Sequence, residues 1–290
     1  MPEIRPIVLV VGSLHYDIMV QADHLPRRDE TAVGSRWYPK FGGKGGNQAV
    51  SVVRQGGVAR MVGAVGADDF GQFLRQTLVA QGVDARFVTE VADTGSGMSV
   101  AIMDASGDYE ATIVSGANLQ ILPEGLQNPQ VWDGVALLVL QNEVPEAVNI
   151  AAATAARQRG IPTLLNAAPC RELSAAFKAL IDLLVVNAVE AEMMGADPIC
   201  CLHSAADAAR TLAAQFETVI VTAGAMGLVV CTAADQVVEI AAEKVKVVSS
   251  HGAGDAFIGA LAAALVQGLD LPEACRRGSV AAATHVAGGP

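Results

Sequence analysis

The chain has 290 residues, 52% of them hydrophobic and only 17% charged, with 29 glycines and a formal net charge of -11. That length suits one large α/β domain with a sizeable core. The acidic balance argues against nucleic acid or an anionic membrane as the main partner, and any anionic ligand would need a local positive counterpart.

In chain order, strand-like apolar runs fall at 7–12 (IVLVVG), 59–65, 135–140, 161–165, 182–186, 218–222 and 227–231. Several are apolar at nearly every position, as strands covered on both faces are. The first follows MPEIRP, which lacks a basic-then-apolar leader layout, so it reads as a buried strand. Helical patterns lie between them at 46–55, 69–82, 145–158, 172–180, 188–195, 204–215 and 254–267. Strand alternating with helix predicts a three-layer αβα fold with a mostly parallel central sheet. No apolar segment reaches the roughly 20 residues of a membrane span.

Two regions break the rhythm. Residues 15–40 hold short segments of polar alternation, and 97–116 read as a hairpin, GMSVAIMD and YEATIVSG, turning at 105–108. They predict a small β lid over a core made of 1–14, 41–96 and 117–290; an ordinary edge hairpin is the plainer alternative. The five cysteines, Cys170, Cys200, Cys201, Cys231 and Cys275, show no metal-ligand spacing. Cys200-Cys201-Leu202-His203 invites a metal reading, but adjacent cysteines seldom chelate one ion. A reduced cytoplasmic enzyme is expected.

Four clusters carry chemistry. In SSHGAGDAFIGALAAAL (249–265), Gly252, Ala253 and Gly254 leave backbone N–H groups unobstructed at a helix start, which makes an anion site. Asp255 in that first turn is better suited to accepting a proton than to binding a phosphate, although a plain helix cap looks the same in sequence. In FGGKGGNQAV (41–50) the glycines admit a ligand, Lys44 supplies positive charge, and Asn47 both donates and accepts, which suits a polyol; a glycine hinge is the alternative. The spacing is not that of a P-loop. Asn187 and Glu190, three apart at the end of a strand, suit a hydrated Mg²⁺ or a capping box. Thr222-Ala-Gly224-Ala-Met-Gly227 is a glycine turn after a strand, and by itself a tight hairpin.

GSLHYD (12–17), GGKGGNQA (42–49), VGADDFG (65–71), NAAPCREL (166–173), NAVE (187–190), TAGAMG (222–227) and HGAGD (251–255), in this order, resemble the ribokinase or PfkB family of carbohydrate kinases, most of all its ribokinase branch. The resemblance covers essentially the whole chain. It implies a ribokinase-like fold with a β lid closing over a sugar, and ATP along the carboxyl edge of the sheet. It makes Asp255 the base that takes the proton of a primary hydroxyl, and Gly252, Ala253 and Gly254 the anion hole. Asn187 and Glu190 then order Mg²⁺ through water, with Asn187, Thr222, Gly224 and Gly227 on the nucleotide side. His15, Asp17, Gly43, Lys44, Asn47 and Glu143 fall at sugar-side positions.

Several features depart from the family pattern. Ser249 stands where ribokinases usually carry an Asp that helps hold a monovalent cation, which puts potassium activation in doubt. His251 replaces a commonly small or hydroxylated residue near the nucleotide. His15 replaces an Asn that contacts the sugar, beside an unusual Tyr16. The ending THVAGGP stops where relatives run on, as in a cut chain or a short member. The expected function is an ATP-dependent pentose kinase, ribose being the default substrate. A nucleoside or pseudonucleoside, or a modified sugar acid, is the alternative; an apolar wall from Met98, Val100 or Ile113 would favour a base-bearing substrate. A non-catalytic sensor retaining the fold is the rival of another class; a dinucleotide oxidoreductase is disfavoured because no GxGxxG turn follows the first strand. The resemblance also raises a homodimer through the lid.

Overall fold

The computed structural model describes residues 5–104, 109–232 and 235–289, so the expected turn at 105–108 lies outside the described residues. In chain order the first half holds β1 (Ile7–Val11), β2 (His15–Ala22), β3 (Gly34–Gly42), α1 (Lys44–Arg54), β4 (Val58–Gly66), α2 (Asp69–Ala80), β5 (Asp84–Val91), β6 (Met98–Met103) and β7 (Tyr109–Val114). Three single 3-10 turns then lead to β8 (Val135–Gln141), α3 (Glu146–Arg157), β9 (Thr163–Asn166), α4 (Ala175–Lys178), β10 (Leu183–Asn187), α5 (Ala188–Met193) and α6 (Leu202–Ala213). The chain continues as β11 (Thr218–Thr222), β12 (Gly227–Thr232), β13 (Val237–Ala241), α7 (Ala253–Val266) and α8 (Leu271–Val286).

Nine strands form one sheet in the order β13-β12-β11-β10-β9-β8-β1-β4-β5. It is parallel from β11 to β5, and β12 and β13 add an antiparallel edge. The near-continuous apolar strands are explained by side chains alternating between two cores. Leu9 and Val11 of β1 join one cluster with α3 and α6, while Val8 and Val10 join the other with α1 and α7. Helix α7 is apolar all round because it is enclosed: it packs against the sheet, α1 and α8, and nine of its residues are buried.

A second sheet, β3-β2-β6-β7, stands apart from the nine-stranded one. It gathers the two segments that broke the strand–helix rhythm. Strand β2 pairs antiparallel with β3 and parallel with β6, so residues distant in sequence meet with Asp17 opposite both Lys40 and Ser99.

Three elements went unread in the sequence. Strand β5 (DARFVTEV) lies at a sheet edge with only Ala85 and Val88 buried, three apart, so no alternation marks it in sequence. Strand β13 is the opposite edge. Helix α8 does carry start signals: the Asp270 side chain accepts from the Glu273 N–H at 2.9 Å, and a proline lies in the first turn.

Candidate active site

Four neighbouring parallel strands each end on a polar side chain: Gln141 on β8, Asn166 on β9, Asn187 on β10 and Thr222 on β11. Behind each lies an apolar run inside the core. The carboxyl edge of the sheet is therefore a polar rim on an apolar slab, the place where open α/β sheets bind ligands.

Asp255 faces that rim. It is the third residue of α7 and is buried, only 8% exposed. Its carboxylate does not cap its own helix. Oδ2 accepts from Asn47 Nδ2 at 3.1 Å, and Oδ1 accepts from Gln48 Nε2 at 2.9 Å. This removes the helix-cap alternative for Asp255. Gln48 is wholly buried and links the rim together: its Nε2 also donates to Asn166 Oδ1 at 3.1 Å, and its Oε1 accepts from Gln141 Nε2 at 2.8 Å. Burial pushes the Asp255 pKa up; the Lys44 charge and the two amide donors pull it back, and the Glu143 charge adds to the rise. Gln48, Gln141 and Asn166 were not singled out in the sequence. Their signal is a polar residue ending an apolar strand, and an amide beside Asn47 on the first turns of α1.

The start of α7 is bare. Its N-cap, Gly252, has a left-handed φ of 85° and makes no side-chain cap bond, and a Cβ at Gly254 would meet nothing within 4 Å. The Ala253 N–H turns back to the Ser250 carbonyl at 3.3 Å, and the first-turn N–H groups that follow have no intrahelical partner to their N-terminal side.

The glycines before Asn47 also answer to the chain itself. A Cβ at Gly43 would lie 2.8 Å from the backbone of Ser13, Leu14 and His15, and one at Gly45 would lie 2.6 Å from Ser13 N. They let α1 approach its own chain. Glu143 fastens the same corner: its Oε2 accepts from the Lys44 N–H at 2.9 Å and from the Ser13 hydroxyl. The Lys44 charge is felt by Asp255, Glu190 and His251, so the one local cation of this motif serves the whole cluster.

On β2, Asp17 is buried, and Ser99 Oγ donates to its Oδ1 at 2.6 Å. Burial raises its pKa against the bond from Ser99 and the charges of His15, His251 and Lys40. His15 shares that face, since strand side chains alternate; it is 4% exposed and its Nε2 has no protein partner. Tyr16 points the other way and stacks on Phe70 of α2, ring centroids 4.0 Å apart. Its unusual identity therefore answers to packing. The register puts Met98 opposite Tyr16 and Val100 opposite Ile18, so both lie on the face away from Asp17. They do not build the expected apolar wall; Ile113, opposite Ser99, is on the Asp17 face and 57% exposed. His251 is solvent-exposed on the α7 loop, yet the surrounding protein and the Lys40 charge hold its pKa below the usual value.

Asn187 and Glu190 form the capping box that the sequence left open. Asn187 Oδ1 accepts from the Glu190 N–H at 2.8 Å, and Glu190 Oε2 accepts from the Asn187 N–H at 2.9 Å. Burial nevertheless raises the Glu190 pKa, and Lys44 and Asp255 both act on it, so its carboxylate belongs to the same field as Asp255. One carboxylate and one amide suit a hydrated Mg²⁺ held largely by water and phosphate oxygens; among the described residues no group of three or more acidic, His or Cys side chains could cage a metal. Cys201 instead caps α6, its sulfur accepting from the Ser204 N–H at 3.5 Å. Thr222 stands opposite Asn187 in the β10–β11 register, and Gly224 lies in the single turn of a β11–β12 hairpin that closes at Gly227. These residues are one to two strands along the rim from the Gln48 cluster.

A cleft of about 360 Å³ opens beside Asp255, between α1, α2, β3 and α8, with Lys40, Asn47, His251, Gly252 and His285 in its walls. No described helix is long and apolar enough to cross a membrane.

A family model described as pfkB family carbohydrate kinase matches residues 6–288. A ribokinase of Mus musculus is 34% identical over 285 residues, covering 96% of this chain and 88% of its own. A deoxyribokinase of Salmonella typhi is 32% identical over 284 residues, covering 97% and 92%. The structure of Arabidopsis thaliana ribokinase with ribose and ATP superimposes with a TM-score of 0.89 at 26% identity, over 97% of this chain and 92% of that one.

Proposed function

Because this chain belongs to the pfkB family of carbohydrate kinases, we propose that it transfers the γ-phosphoryl group of ATP to the primary hydroxyl of a pentose, with ribose the first candidate. The observation that carries this reading is the Asp255 carboxylate, buried and held by Asn47 and Gln48 beside an uncapped helix start.

The chemistry follows from that pair. As the sugar oxygen bonds to the γ-phosphorus, its proton passes to Asp255 and ADP leaves. A loose transition state asks for positioning and charge stabilisation more than for a strong base. Asn47 and Gln48 fix the carboxylate in place. The N–H groups of Gly252, Ala253 and Gly254 receive the charge that gathers on the phosphoryl oxygens. Mg²⁺, when bound, neutralises phosphate charge; Asn187 and Glu190 would hold its waters. Asp17, with His15 beside it, would take sugar hydroxyls, and Glu143 and the backbone of Gly43 and Lys44 set the floor of that pocket. Thr222, Gly224 and Gly227 would border the nucleotide.

The second sheet acts as the lid, comprising 15–40 and 97–116, and excludes water that would otherwise hydrolyse ATP. Its exposed Trp37 and Val114, both on the face turned away from Asp17, support a homodimer through this sheet. At the position of the family's cation-binding Asp, Ser249 Oγ accepts the His251 N–H at 3.3 Å, so we propose a weak or absent response to potassium. ADP release by the purified protein across pentoses, hexoses and nucleosides tests the reading. Sugar-dependent turnover, highest with a pentose, is expected. ATP binding without turnover on any sugar would point to a sensor, and turnover confined to nucleosides would replace the substrate class.

A further inference from the structure

The loop that carries the anion hole is fastened to the far end of α8. The N–H groups of Val248 and Ser249 donate to the Val286 carbonyl at 2.7 and 3.3 Å. From the residue just before it on the same helix, His285 Nε2 lies 2.9 Å from the carbonyl oxygen of His251. A carbonyl oxygen only accepts, so Nε2 carries the proton in this contact.

That bond fixes a peptide rather than a side chain. The His251–Gly252 peptide is trans, the only cis bond among the described residues being Ala168–Pro169. In a trans peptide the N–H points opposite to the C=O. Drawing the His251 oxygen toward α8 therefore turns the Gly252 N–H away from α8. Glycine tolerates either sign of φ, so Gly252, at φ 85°, offers little resistance to turning this peptide over. Turned over, it would present a carbonyl oxygen to an anion in place of a donor. The fit at this point is close: a Cβ on Gly252 would meet His285 Nε2 at 2.9 Å.

We infer that His285 is a positioning residue that holds the His251–Gly252 peptide with its N–H presented to the transferring phosphoryl group. The inference rests on the kinase reading above. Within that reading it adds a residue that the sequence motifs did not reach, because His285 lies on a helix absent from the sequence expectations.

The test compares wild type, His285→Ala and His285→Gln by steady-state kinetics with the preferred sugar. Losing a bond of ordinary net strength should lower kcat about tenfold in His285→Ala, with the sugar KM unchanged. His285→Gln keeps a side-chain N–H and should retain most of kcat. Because His285 lines an open cleft, added imidazole should restore part of the lost kcat in His285→Ala and do nothing for wild type. Wild-type kcat in His285→Ala overturns the inference, as does a loss that appears in KM and answers neither to imidazole nor to the Gln variant. A wild-type protein inert toward every sugar is a different failure: it removes the kinase reading, and the role of His285 with it.

Discussion

Two buried charges sit at opposite ends of the central sheet and are treated in opposite ways. At the amino end, the Arg60 side chain is 5% exposed; it donates to Asp84 at 2.9 Å and to the carbonyls of Gln130, Val131 and Asp133. Arg86 completes the partners of Asp84 and, with Arg60, holds its pKa well below the usual carboxylate range. At the carboxyl end, Asp255 is as deeply placed but has only two neutral amides in contact, and its pKa is pushed up. A buried ion with its counter-ion in place stabilises a fold; one held by neutral donors is poised to take a proton. The same sheet thus separates structural from chemical charge by which end of its strands each occupies.

The largest effect should come from the chemical end. Asp255→Asn should lower kcat roughly a thousandfold or more while ATP affinity, measured by calorimetry, stays near wild type. A mild loss would contradict its assignment as the base. Arg60→Ala should leave kcat within range of wild type but destabilise the protein by about 3 kcal/mol, because it leaves three carbonyls without their donor and Asp84 with Arg86 alone; urea unfolding measures this, and an unchanged midpoint would break the contrast.

The sign of the pH response separates the two ends further. The Asp84 pKa is depressed in the fold, so its contribution to stability is complete above the ordinary aspartate range. That contribution is lost as pH falls below the range. The stability gap between wild type and Asp84→Asn should therefore be present at neutral pH and shrink in acid. The smallest expected effect is that of potassium, whose addition should leave kcat nearly unchanged with Ser249 in place; strong activation would show that Ser249 is no obstacle.

Much of this was legible in the sequence where one residue type has one physical reason. The all-apolar strands announced a sheet covered on both faces, and the bare Gly-Ala-Gly before Asp255 announced an uncapped helix start. Where several reasons produce the same letters, the sequence was silent or misleading. Gly43 and Gly45 read as a ligand cradle, and their own chain requires them as well. Asn187 and Glu190 read as metal site or capping box, and the capping box forms. Tyr16 stood out only as unusual beside His15, and the strand's alternation turns it onto Phe70. Gln48 was hidden because its partners lie about a hundred residues or more away, at |i−j| of 93, 118 and 207. Such contacts belong to topology, and local periodicity carries no trace of them.

Because Gln48 touches Asp255 and not Asp17, it offers the most direct test of the central claim that a buried, proton-accepting Asp255 drives transfer. The measurement is the acid limb of kcat/KM for the sugar in wild type and in Gln48→Leu. Around Asp255, Lys44 and the Gln48 and Asn47 amides lower its pKa, and burial and Glu143 raise it; Glu190 and His251 face the same field. Removing the Gln48 donor leaves burial less opposed. The account expects a wild-type limb above the ordinary aspartate range that moves to still higher pH in Gln48→Leu. A limb that stays in place, or moves toward acid, would contradict it.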